Sequence, residues 1–237
     1  MLKEFAQYLV SLKDNKTYEI HGDTYSDREL IRVPKYIPRP SCFPVSGLDS
    51  VVKVVKEEMH KLTRPIFIRI DSATKVSAYT ALDEDMERDK FCEASCDVPG
   101  FRDGWEDFDK AIIVLRSRFI PNDGTAYLLD LLSRINKESG VSTSDNGVSQ
   151  TVEARSGIAL KSMESINPRV ALAPYRTFLE VEQPVSEFLL RLDENGRVGL
   201  FEADGGKWKL DAKANIYDYF CEAFQSEILS GNVVVMM

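Results

Sequence analysis

The chain predicts an α+β fold: a mostly antiparallel sheet with helices packed on one face, a single compact domain carrying an N-terminal appendage. Three observations predict it. Alternating apolar and polar runs follow one another across residues 148–203, separated by turn residues, as half-buried strands do. Stretches of helical period lie at residues 51–59, 127–135 and 212–229. The order is helix, strand-rich, helix, strand-rich, helix, and strands joined by short turns pair antiparallel, leaving the helices to cover one side.

Taken in order, Leu2, Phe5, Leu9 and Leu12 give an amphipathic helix over residues 2–13, and short strands are expected at 18–20 and 30–33. Four prolines (34, 38, 40 and 44) then make an extended connector, because proline fixes φ and has no amide donor. Residues 1–40 therefore form an appendage, and residues 41–237 the main body. Gly47-Leu48-Asp49-Ser50 starts a helix whose stripe is Val51, Val54, Val55 and Met59. In the next strand Ile66, Ile68 and Ile70 share one face. Two further β-like runs, 75–82 and 90–97, flank an acidic bend at 83–89.

Residues 111–115 read equally as strand or buried helix. Asn122-Asp123-Gly124 opens a helix with Tyr127, Leu128, Leu131, Leu132 and Ile135 on one face, which Gly140 ends. The polar stretch 139–150 reads as a mobile loop. Strands follow at 148–158, 170–181, 186–192 and 197–203, with Asp193-Glu194-Asn195-Gly196 as a hairpin turn. Asp204-Gly205-Gly206 turns into one more alternating run, Lys207-Trp208-Lys209-Leu210, before a last helix at 212–229. The apolar end, Asn232 to Met237, suits a final strand or a partner's sheet edge, and so suggests a homo-oligomer.

Composition narrows the function. With 237 residues, 43% hydrophobic and 10% aromatic, the chain buries a core and is not a disordered protein. A net charge of −8 and a pI near 5.0 argue against strong, general nucleic-acid binding, while leaving room for a local basic pocket. Four scattered cysteines (42, 92, 96 and 221) do not make a disulfide framework. Cys92 and Cys96 make at most half a zinc site with His21 or His60, so they read as reduced packing residues and no metal or cofactor is expected. No stretch has the length of a signal peptide or a membrane helix, so the expected place is the cytosol, without membrane contact.

Catalytic patterns are thin. A nucleophile needs a base beside it, and His21 and His60 are the only two histidines. Asp204-Gly205-Gly206-Lys207 lacks the first glycine of a phosphate loop and the hydroxyl after its lysine. The acids at 83–87 and 103–109 suit a two-metal nuclease only if they converge on a cleft, and solvated loops explain them as well. The richest region is 150–209, with Arg155, Arg169, Tyr175, Arg176, Thr177, Arg191, Lys207 and Trp208. Guanidinium forks suit phosphate or carboxylate, and aromatic faces suit a base, so these residues are the candidate ligand site. The competing reading pairs them with Glu180, Glu182 and Glu202 on half-buried strands.

The phrases APYRTFLEVEQPVSEFLLRL and LFEADGGKWKLDA, with DKAIIVLRSRF and SDNGVSQTVEARSG upstream, resemble a phage and prophage family of unknown function that includes Escherichia coli YfdQ. The likeness runs from about Cys42 to Leu229 and leaves the first 40 residues outside. It implies a phage protein of the host cytosol, often encoded near replication and recombination genes, and it implies no activity, cofactor or catalytic residue. The expectation is a non-enzymatic phage protein that binds a nucleotide-type signal of host defence or blocks a host protein. The rival is an accessory factor in phage DNA replication or recombination, with a carboxylate-metal nuclease third.

Overall fold

The computed structural model describes residues 2–11, 16–20, 23–26, 39–84, 86–135, 141–145, 150–156, 159–193 and 197–237. The chain divides at Arg39/Pro40 into two units. The first holds α1 (Leu2–Ser11) and an antiparallel hairpin of β1 (Thr17–Ile20) with β2 (Asp23–Ser26). The strand expected at 30–33 and most of the proline connector lie outside the described residues.

The second unit is α+β, and most of its strand pairs are antiparallel. It opens with β3 (Phe43–Val45), α2 (Leu48–Glu58), β4 (Ile66–Ser72), β5 (Lys75–Tyr79) and β6 (Lys90–Ser95). Then come β7 (Gly104–Asp107), α3 (Phe108–Arg118), α4 (Asp123–Ile135), β8 (Val141–Asp145), β9 (Gln150–Ser156) and β10 (Ala159–Ile166). It closes with β11 (Arg169–Leu172), β12 (Ser186–Leu192), β13 (Arg197–Glu202), α5 (Trp208–Ala223), α6 (Gln225–Leu229) and β14 (Val233–Met236).

These strands form three sheets, ordered β14-β4-β5-β6-β3, β11-β12-β13-β7 and β10-β9-β8. Among the described residues parallel pairing is confined to β14–β4 and β3–β6, where the edges of the five-stranded sheet are closed by distant parts of the chain. The apolar end of the chain is thus a strand of its own molecule's sheet.

Two cores follow from the side-chain periods. In the first, Ile66, Ile68 and Ile70 share the inner face of β4 with Val76 and Ala78 of β5 and with Cys92 and Ala94 of β6. Leu48, Val51 and Val55 of α2, and Ile216 and Phe220 of α5, cover that face at helical spacing. In the second, every other residue of β12 is buried, from Ser186 through Phe188 and Leu190 to Leu192. Leu115 of α3 and Leu128, Leu131 and Leu132 of α4 pack on it. Each fully buried Leu, Ile or Phe contributes roughly 1.5–3 kcal/mol, so burial outweighs capping in holding these helices.

Several sequence expectations change. Residues 111–115 are helical: Asp107 ends β7 in an extended conformation and Ala111 and Leu115 face inward one turn apart. The expected strand over 170–181 is only β11, after which the chain runs irregularly to Pro184. Residues 207–210 are not a strand. Asp204 accepts the Trp208 amide at 3.2 Å, and α5 starts there. Within the expected loop at 139–150, Val141–Asp145 is β8, paired to β9, and the rest other than Gln150 lies outside the described residues.

The irregular segment 173–185 ties the two cores together. At its start the Tyr175 amide donates to the Arg118 carbonyl at 2.9 Å, beside the second core. Thr177 Oγ1 then donates to the Ala73 carbonyl at 2.5 Å, in the β4–β5 turn, and Phe178 is buried in the first core. Glu180 accepts the Leu48 amide at 2.8 Å, placing a carboxylate at the N-terminus of α2 where the helix dipole favours it.

Candidate functional site

The same segment builds the site. The Gln183 side chain, itself buried, accepts the amides of Arg176 (3.0 Å) and Thr177 (3.2 Å) and donates to the Phe178 carbonyl (2.9 Å). This turn points the Arg176 side chain across the chain toward the end of β13. There its guanidinium pairs with Glu202, donates to Ser186 Oγ and reaches the Pro184 carbonyl at 3.1 Å. Ser186 donates onward to Asp204 at 2.5 Å. Asp204 also accepts the Gly206 amide at 2.8 Å, and Gly205 (φ 66°) and Gly206 (φ 81°) supply the left-handed turn this needs. Trp208 closes the ring: its indole N–H donates to Glu202 at 3.1 Å and its face lies 4.2 Å from the Arg176 guanidinium carbon.

The electrostatics follow from that closure. Burial pulls the Arg176 pKa below its ordinary value, against the opposing pull of Glu202, Asp204 and Asp211. Burial alone pushes Asp204 up, yet hydrogen bonds from Ser186, Gly206 and Trp208 and the charge of Arg176 leave it below the usual carboxylate range. Arg176 Nε is the single buried side-chain polar atom without a partner among the described residues.

Beside this ring lies a cleft of about 530 Å³, lined by Arg176, Glu202 and Trp208 together with Cys96, Phe101, Arg102 and Asp103. Arg102 is exposed, and among the described residues its guanidinium has no hydrogen-bond or ion-pair partner. Asp103, next to it, is held by the Glu202 amide at 3.1 Å. The cleft thus brings the Trp208 indole and the Arg102 guanidinium together with the Arg176–Glu202 ion pair and the Asp103 carboxylate.

Of the residues singled out in the sequence, Arg176 and Trp208 meet at this cleft, and Thr177 is buried behind it, bonded to Ala73. The others do not join them. Arg169 is exposed and paired to Glu187 at 2.5 Å, and Arg191 reaches the Leu190 carbonyl at 3.1 Å. Both sit on the outer face of the four-stranded sheet, opposite the second core, because β-strand alternation carries them away from Phe188 and Leu190. Tyr175 faces the α3 end, Lys207 is exposed at the start of α5, and the Arg155 side chain lies outside the described residues. The sequence reading missed Ser186, Asp204 and Arg102. A carboxylate directly before a glycine pair and a helix was the signal for Asp204; nothing local marked the other two.

Among the described residues no three His, Cys, Asp or Glu side chains converge to hold a metal. The four cysteines are free, and burial pushes the Cys92 thiol up to about 11, away from a reactive thiolate. No described helix is long and apolar enough to cross a membrane. No family model, curated protein or solved structure matches the chain.

Proposed function

We propose that the protein acts by binding, and that its ligand is a small nucleotide-type molecule held in the cleft beside Trp208. The observation that carries this is the cleft itself. At about 530 Å³ it falls within the roughly 300–1,000 Å³ of small-molecule sites, with the Trp208 indole and the Arg102 guanidinium in its lining. The Arg176–Glu202 pair takes a different part from the one its residue types suggest: it is spent on holding Trp208 in place, which leaves Arg102 as the cation open to a ligand. The resemblance of the sequence to the YfdQ phage family supports placing such binding in infection, as sequestration of a host defence signal.

Two measurements test this. Native mass spectrometry of the purified protein is expected to show a co-purifying small mass that vanishes on denaturation. In a Trp105→Phe background, Trp208 is the only remaining tryptophan, and nucleotides are expected to quench its emission saturably. A clean protein mass together with unchanged Trp208 emission across mono-, di- and cyclic nucleotides would overturn the ligand reading and leave a host protein as the partner.

A further inference from the structure

The ligand's ring has a wall in the cleft; its charge needs one too. Most arginines of the second unit are already engaged, by Asp71, Glu187, Glu202 and Asp193 among others. Among the described residues the guanidinium groups of Arg102, Arg116 and Arg118 have no hydrogen-bond or ion-pair partner. Two of these three, Arg102 and Arg118, line one cavity of about 310 Å³ between α3 and the β13 side of its sheet. Val114, Val198 and Leu200 supply part of its lining with apolar side chains. The carboxylate that also lines it, Glu106, is held by Lys110 at 2.5 Å.

Such a place favours an anion. Two unpaired guanidinium forks offer parallel N–H donors matched to phosphate oxygens, and the apolar part of the lining strengthens their field relative to open water. In a chain of net charge −8, two guanidinium groups at one cavity that are unpaired among the described residues stand out from the pairing seen at most other arginines. The cavity is at the small end for a whole nucleotide and ample for one or two phosphoryl groups. Gly100, Phe101 and Arg102 line both this cavity and the Trp208 cleft, so one short loop forms the partition between them.

We propose that Arg102 and Arg118 form a phosphate-binding subsite, taking the phosphoryl end of a ligand whose ring sits beside Trp208. This rests on the cleft reading above and names the group that recognises the ligand's charge. Arg118 lines only the smaller cavity and Trp208 only the larger, which separates the two halves experimentally.

The test uses the full chain, with pyrophosphate, adenosine and adenosine diphosphate as probes. Each variant's thermal midpoint is read against its own unliganded value, since a ligand that binds the folded state raises it. Pyrophosphate is expected to raise the midpoint of the wild type and of Trp208→Phe, and to lose that effect in Arg118→Gln and in Arg102→Gln. Adenosine diphosphate is expected to bind Arg118→Gln at least tenfold more weakly than wild type, with adenosine unaffected. The subsite is overturned if pyrophosphate leaves the wild type unchanged, or stabilises Arg118→Gln equally. Nucleotide quenching of Trp208 that is indifferent to Arg118→Gln would keep the cleft reading and sink the subsite. A pyrophosphate effect lost in Arg118→Gln, without any nucleotide quenching, would keep the subsite and sink the cleft reading.

Discussion

The guanidinium of Arg176 is buried against a half-buried Glu202, a buried Ser186 and the Pro184 carbonyl, and this sets the cost of replacing it. Arg176→Met keeps most of the volume but leaves Glu202 without its cation beside Trp208. Breaking one half of a buried pair costs about 3–5 kcal/mol, so a loss of about 3 kcal/mol is expected in urea unfolding. A loss below about 1 kcal/mol would show that the pair is solvated and dispensable. Asp204 gives a pH signature. Its folded pKa lies below the ordinary value of 3.8, so its contribution to stability is complete above about pH 5 and fades as pH falls through the ordinary value toward the lower folded one. The stability advantage of wild type over Asp204→Asn is therefore expected to shrink between pH 5 and about pH 3. An advantage that stays constant over that range would mean that Asp204 titrates normally.

At the scale of elements, the start of α4 is the most sharply determined. The Asn122 side chain accepts the Thr125 amide at 2.8 Å while Thr125 Oγ1 accepts the Asn122 amide at 2.7 Å, a reciprocal cap at the helix entrance. Between them Gly124 lies so close to β11 that an added Cβ would stand 2.1 Å from the Ala171 carbonyl oxygen. Backbone cannot swing aside as a side chain does. Gly124→Ala is thus expected to destabilise by more than the roughly 1 kcal/mol typical of Asn122→Ala, through separation of α4 from the sheet. Equal losses in thermal or urea unfolding would mean that β11 yields at little cost. The helix start was legible at Asn122-Asp123-Gly124, whereas the need for glycine at 124 was not, because its neighbour comes from 47 residues further along the chain.

For the whole molecule, every buried residue of the two cores lies between Leu48 and Val233. Removing residues 1–39 is therefore expected to leave the thermal midpoint of the second unit within about 2–4 °C, the shift that about 1 kcal/mol produces in a body of this size. A larger fall, followed by circular dichroism, would show that the first unit contributes to that stability. The 173–185 segment matters at this scale as well. It carries Phe178 into one core and the Tyr175–Arg118 bond beside the other, so a stretch expected to be strand is an irregular connection between the two.

Local chemistry was enough to determine the class of fold, the helix over 123–135, the inward face of β4 and the 186–192/197–202 hairpin, because periods of two and of 3.6 residues are written along the chain itself. It also singled out Arg176 and Trp208, since an arginine and a tryptophan near turns are visible one residue at a time. Tertiary structure alone decided that these two meet, that Glu202, Ser186 and Asp204 close around them, and that Arg169 and Arg191 face away. The same holds for Arg102 and Arg118, which are 16 residues apart and come to one cavity through a turn, a strand and a helix. Burial and ion pairing depend on what the chain brings from far away, and no window of neighbouring residues contains that information.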